Sequence, residues 1–210
     1  MKRLLLGLAL LGAISVPTLA QQSGVNVVPQ VGMTWGYLPK ATYSAGFTGL
    51  VPAASATDVV CLAGSATKTI RVTKIVLGGT AGTLVTVPIL LTKKATADSG
   101  GTAAGTTANP ANTITPLDSS FATATAVPIS YTANPTINAA GTILAARTVT
   151  LPVTSAGVAS IPTVWDYGVG NSNLLSPIVL RGAAQQICLN FAAVSVSSGL
   201  LAGYLEWTEE

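Results

Sequence analysis

The chain has 210 residues, 49% hydrophobic and 8% charged, with 21 glycines, 12 prolines and no histidine. Without histidine the commonest general base and neutral metal ligand are missing, so no Ser-His-Asp or Cys-His arrangement can form. The formal net charge of +3 falls to eight bases against seven acids once Lys2 and Arg3 are set aside, which leaves no basic stripe for direct contact with nucleic acid.

Residues 1–20 read as a signal peptide. Lys2-Arg3 is a positive start, Leu4 to Val16 an apolar run, and Thr18-Leu19-Ala20 a small-residue cleavage site before Gln21-Gln22. The apolar run is too short to span a bilayer, and no later segment is long and apolar enough, so no membrane span is expected after leader removal. The expected destination is the periplasm, the cell surface or the extracellular space. The remaining chain of about 190 residues is long enough to bury roughly 70% of its unfolded surface in one domain.

Residues 21–55 are rich in Gly, Pro and aromatics and read as an extended N-terminal arm or an edge strand. Trp35, Tyr37, Tyr43 and Phe47 are the candidate interface residues, since apolar side chains on an arm need cover from the sandwich or a neighbouring subunit.

Residues 56–210 read as a single all-β domain, a β-sandwich or jelly roll of about nine or ten antiparallel strands. The expected strands cover Val59–Ala63, Lys68–Leu77, Leu84–Thr92, Ala122–Tyr131, Thr142–Leu151, Ser160–Tyr167, Pro177–Arg181, Gln185–Val194 and Leu200–Thr208. Ile70 and Val72 alternate with Thr69, Arg71 and Thr73, as a half-buried strand requires. Leu84–Thr92 is nearly continuous in apolar residues, as for a strand covered on both faces, although Pro88 calls for an edge position or a bulge. The polar stretch Lys93–Pro116 is long for a connection within a compact domain, the kind of loop that carries function.

Cys61 and Cys188 each sit in a strand-like run. In an oxidising compartment they are expected to form a disulfide; the alternative is two small buried hydrophobes that never meet. The seven carboxylates offer little chemistry: Glu206, Glu209 and Glu210 cluster at the C-terminus, while Asp58, Asp98, Asp118 and Asp166 are dispersed. Asp118 and Asp166 read as turn residues rather than a glycosidase pair. No phosphate loop, calcium loop or zinc spacing is present, so no catalytic residue, cofactor or metal is expected. Arg71, Lys74, Lys93 and Lys94 are a candidate for a modest basic patch on neighbouring strands, with edge residues that discourage strand aggregation as the plainer reading. Trp165 and Trp207 are candidate ligand-stacking platforms, with core or interface packing as the plainer reading.

Four stretches carry a resemblance: Gly64-Ser-Ala-Thr-Lys-Thr-Ile-Arg-Val-Thr-Lys74, Tyr131-Thr-Ala-Asn-Pro-Thr136, Ile178-Val-Leu-Arg-Gly-Ala-Ala-Gln185 and Glu206-Trp-Thr-Glu-Glu210. With them, the chain from Thr57 onward resembles a group of small tailed-phage virion-associated β-sandwich proteins, mostly uncharacterised. The resemblance implies a virion component, decorating a head or forming part of a fibre, and brings no catalytic residues. The expected function is therefore a non-enzymatic structural subunit, virion-like or cell-surface, whose partners are copies of itself and other structural subunits. The alternative is a secreted carbohydrate-binding or adhesin module that recognises surface glycans.

Overall fold

The computed structural model describes residues 40–104, 113–156, 160–168 and 177–210. The expected leader, most of the expected arm, and Trp35 and Tyr37 lie outside the described residues. The described residues hold twelve strands: β1 (Ala41–Leu50), β2 (Asp58–Ala63), β3 (Thr69–Thr80), β4 (Val85–Lys94), β5 (Thr102–Ala104), β6 (Ile114–Pro116), β7 (Val127–Ala133), β8 (Thr142–Leu151), β9 (Thr163–Asp166), β10 (Ile178–Arg181), β11 (Gln186–Asn190) and β12 (Leu200–Glu209). They form two six-stranded antiparallel sheets. The first runs β10-β3-β12-β1-β6 with β9 also on β3, and the second runs β5-β7-β2-β11-β4-β8. The chain is an all-β sandwich. Two of the strands, β5 and β6, fall inside the stretch that reads as a long polar loop.

The inward faces follow from residue spacing. Along β12, Leu201, Leu205, Trp207 and Glu209 are buried at period two. In β3 the buried series is Ile70, Val72, Ile75 and Leu77, with a break in phase between 72 and 75. A bulge explains it: Glu206 pairs Lys74 and Trp207 pairs Val72, so Thr73 is the extra residue that resets the alternation. From the facing sheet come Val60, Leu62, Ile187, Leu189, Val87, Ile89 and Leu91, all in one continuous core. Gly203 occupies an inward position of β12 because a side chain does not fit. A Cβ there would lie 2.8 Å from the Phe47 ring and 2.0 Å from the Val76 carbonyl oxygen.

The described part of the expected arm is a regular sheet strand. β1 lies between β12, which it pairs over most of its length, and the short β6. Its alternating Tyr43, Ala45 and Phe47 point into the chain's own core and are fully buried there. Of the aromatic residues that suggested an uncovered arm, Tyr43 and Phe47 are thus covered by the sandwich itself.

Two further expectations need adjustment. β4 is buried on both faces only near its end, with Thr86 and Pro88 exposed. Pro88 does lie at a local edge, because β11 pairs with β4 only from Leu90 to Lys94. β2 is the strand buried at every position. One of its faces looks into the main core, and the other carries Cys61 beneath Tyr131 and Ile129 of β7.

Candidate functional site

The densest polar assembly lies on that second face of β2. Asp58 opens β2, Lys94 ends β4, and Asp98 follows in the connection to β5. The Lys94 ammonium donates to Asp58 Oδ2 and to both Asp98 oxygens, the latter at 2.9 and 2.8 Å. Asn190 Nδ2 donates to Asp58 Oδ1 at 2.6 Å, and the Asp98 backbone N–H donates to Gln186 Oε1 at 3.0 Å. The side chains of Lys94 and Asp58 are 2% and 0% exposed. A short two-residue bridge between Ser99 and Thr136, and a hydrogen bond from Asn138 Nδ2 to the Ala97 carbonyl, hold the covering loop in place.

One cation facing two buried carboxyl groups sets the protonation. A second buried negative charge beside the first is costly. The Asp98 carboxyl is accordingly pushed up to about 6, first by burial and then by its hydrogen bond with Asp58, against the lowering pull of Lys94. The Tyr131 phenol is raised too, by burial and then by Asp98 and Asp58.

Cys61 and Cys188 sit opposite each other across β2 and β11 and form a disulfide, with Cα atoms 4.1 Å apart. The ligand atoms of Asp58, Cys61, Asp98 and Cys188 all lie within 4.8 Å of one another. This donor set does not suit a metal ion. Both sulfurs are in the disulfide, so no thiolate is available, and Lys94 already sits against both carboxylates.

A second buried carboxylate, Glu209, behaves in the opposite way. It accepts hydrogen bonds from the backbone N–H groups of Thr125 and Ala126, the Thr125 hydroxyl and the Trp207 indole N–H, all at 2.8–3.1 Å. Burial alone would raise its pKa, but these four donors together hold it below the usual carboxylate value. Trp207 stacks on Tyr43 with ring centroids 5.9 Å apart, and the Tyr43 hydroxyl donates to the Ala122 carbonyl at 2.7 Å.

The residues singled out from the sequence are therefore mostly structural. Trp207 and Trp165 are buried, so neither presents a ring for ligand stacking; Trp165 lies under the Arg147 guanidinium. Tyr43 and Phe47 belong to the core described above. The basic set is dispersed: Lys94 is buried, Arg71 pairs with Glu210, and Lys74 faces Asp166 at 3.9 Å. Asp118 and Asp166 cap turns, accepting from the N–H groups of Ser120 and Gly168. What escaped sequence reading is the Asp58–Lys94–Asp98 cluster. Asp58 lies 36 residues before Lys94, and the four-residue spacing of Lys94 and Asp98 in a polar stretch does not mark a site by itself.

Two open surfaces stand out among the described residues. On the outer face of the first sheet is a shallow hollow of about 570 Å3, lined by Val76, Gly78, Pro162, Leu200 and Ala202 among others, with no charged or aromatic side chain. The other is β8, the edge of the second sheet. Its Ile143 and Leu144 are 56% and 41% exposed, and the register shift beside Ala145 leaves Leu144 as a bulge.

No family model, curated protein or solved structure matches the chain.

Proposed function

We propose that the chain is an exported, non-enzymatic structural subunit, virion-like or cell-surface, that assembles with copies of itself along β8. The observation that carries this reading is the contrast among sheet edges. β5, β6, β9 and β10 are three or four residues long, whereas β8 presents ten. Short edges are a common protection against unwanted pairing; a long apolar edge is a template for another strand. Between Thr142 and Leu151 the single charge is Arg147, drawn over Trp165. The disulfide suits an oxidising compartment outside the cytoplasm. Low charge across the whole chain reduces repulsion between neighbouring copies.

The glycan-binding alternative gains nothing from the site. Its two stacking candidates are buried, and the hollow lacks the aromatic platform and convergent polar groups that sugar recognition uses. Light scattering coupled to size exclusion on residues 21–210 tests the proposal. A discrete oligomer that dissociates in the Ile143→Lys variant is expected. A monomer at high concentration overturns the assembly reading, and an oligomer indifferent to Ile143→Lys overturns the β8 contact.

A further inference from the structure

The cluster on the outer face of the second sheet brings together the components of an amide-forming reaction. A primary amine and two carboxyl groups converge in a space from which water is excluded. We propose that Lys94 and Asp58 form an intramolecular isopeptide bond, with Asp98 as the proton-relaying acid.

In water an ammonium and a carboxylate form an ion pair and do not react. Burial changes the balance, because separated charges are expensive in a low-dielectric site and transfer of one proton gives an uncharged amine and an uncharged carboxylic acid. The amine is then a nucleophile and the acid an electrophile. Their confinement to one contact supplies the high effective concentration that intramolecular reactions enjoy. Asp98 touches the amine through both of its oxygens, and burial pushes its carboxyl up to about 6, so it is placed to act as general acid and base. Asn190 Nδ2, bonded to Asp58 Oδ1, orients the carboxyl group and polarises it toward attack.

The step balances without an oxidant or co-reactant. The Nζ–Cγ bond forms and one Cγ–O bond of Asp58 breaks. Two of the three ammonium protons leave on the departing oxygen as water, and the third remains on the amide nitrogen. Asp98 gives one proton to the leaving oxygen and takes one from nitrogen, and ends as it began. The two opposite charges cancel.

The placement gives the bond a mechanical consequence. β2 and β4 flank β11, so a Lys94–Asp58 amide ties the two outer strands of that trio while the disulfide ties β2 to β11. Both links lie on the same face.

Mass spectrometry decides the matter on the purified chain. After reduction and alkylation, the folded wild type is expected to be lighter than its sequence by one water. Trypsin should then release a branched species joining Ala41–Lys68 to Lys94–Arg147, because an acylated Lys94 is not cleaved. Full mass, with Ala41–Lys68 and Ala95–Arg147 recovered separately, overturns the proposal. Asp58→Asn should lose one ammonia in place of water, and Asp98→Ala should keep its full mass while Lys94 becomes cleavable. An Asp98→Ala chain that still lacks one water removes Asp98 from the reaction. The readout is within one chain, so it is independent of whether copies associate through β8.

Discussion

The two buried carboxylate sites, Glu209 between the sheets and Asp98 on the outer face of the second sheet, solve one problem in opposite ways. Glu209 is surrounded by neutral N–H and O–H donors, with Lys68 more distant at 3.9 Å. It keeps its charge because each donor favours the ionised form. Asp98 faces another carboxyl group across a shared ammonium, and its pKa stays raised, by burial first and then by that neighbour, because too few donors offset them. The difference teaches that the composition of the neighbourhood, more than depth of burial, decides whether a buried acid serves as a fixed structural acceptor or as a reactive proton carrier.

The largest expected effect falls on the cross-linked face. Replacing both cysteines with serine releases a closure of 127 residues and should cost about 4–5 kcal/mol by loop-closure entropy. Equilibrium unfolding in urea measures it. A loss under about 1 kcal/mol would mean that residual structure already restricts the unfolded chain.

Next is the hydrogen-bonded site. Glu209→Ala removes the acceptor for four donors and leaves the indole N–H and the Ala126 backbone N–H buried without it. The expected cost is about 3 kcal/mol, read as a lowered unfolding midpoint with unchanged slope. Glu209→Gln retains one carbonyl oxygen and should recover part of the loss. If Ala and Gln cost the same, packing around Trp207 matters more than acceptance of its proton.

The pH dependence separates the two sites by sign. Glu209 has a lowered pKa in the fold, so its contribution is present above the unfolded value of 4.5 and is lost as pH falls through the folded value. Asp98 is raised, so its contribution is fully present below 3.8 and is lost as pH rises through about 6. Stability should therefore decline between about pH 4 and 6 from Asp98, and decline again on the acid side from Glu209. Asp98→Asn should flatten the first limb and Glu209→Gln the second. Burial is the largest cause of the Asp98 shift, so the first limb should persist when Asp58 is consumed in an amide. Thermal unfolding from pH 3 to 7 checks both limbs, and a wild type without the pH 4 to 6 decline would contradict the raised Asp98 pKa.

The sequence made the strand pattern legible wherever breaks by Gly, Pro and Asn frame β-branched runs. Thr142–Leu151 was bounded to the residue, and β2, β3, β4 and β12 to within a few positions. The candidate pairing of Cys61 with Cys188 also matches the register. Two kinds of information were not legible. The destination of an aromatic residue depends on which face it shares with a partner strand, so Tyr43, Phe47, Trp165 and Trp207 could not be assigned to core or surface from spacing. The ionic cluster depends on β2 and β4 being placed on either side of β11, a long-range pairing that leaves no local trace. Asp98 looked like one more polar residue in a loop. Its significance comes from Lys94 and Asp58, which the fold brings to it.

The smallest expected effect on stability is at the β8 edge, and it is the sharpest test of what that edge is for. Ile143 is exposed, so Ile143→Lys removes little buried area and should change stability by no more than about 0.5 kcal/mol. The same change places a charge where another strand would have to pair, and that strand would meet either a buried unpaired ammonium or, in a twofold arrangement, a second one. Association should therefore be lost while the unfolding midpoint of the separated subunit holds. If stability and association instead fell together, Ile143 would be supporting the fold through Thr92, its partner on β4. The contrast between β8 and the short protected edges would then concern packing within one chain, leaving no reason to place the contact between copies there.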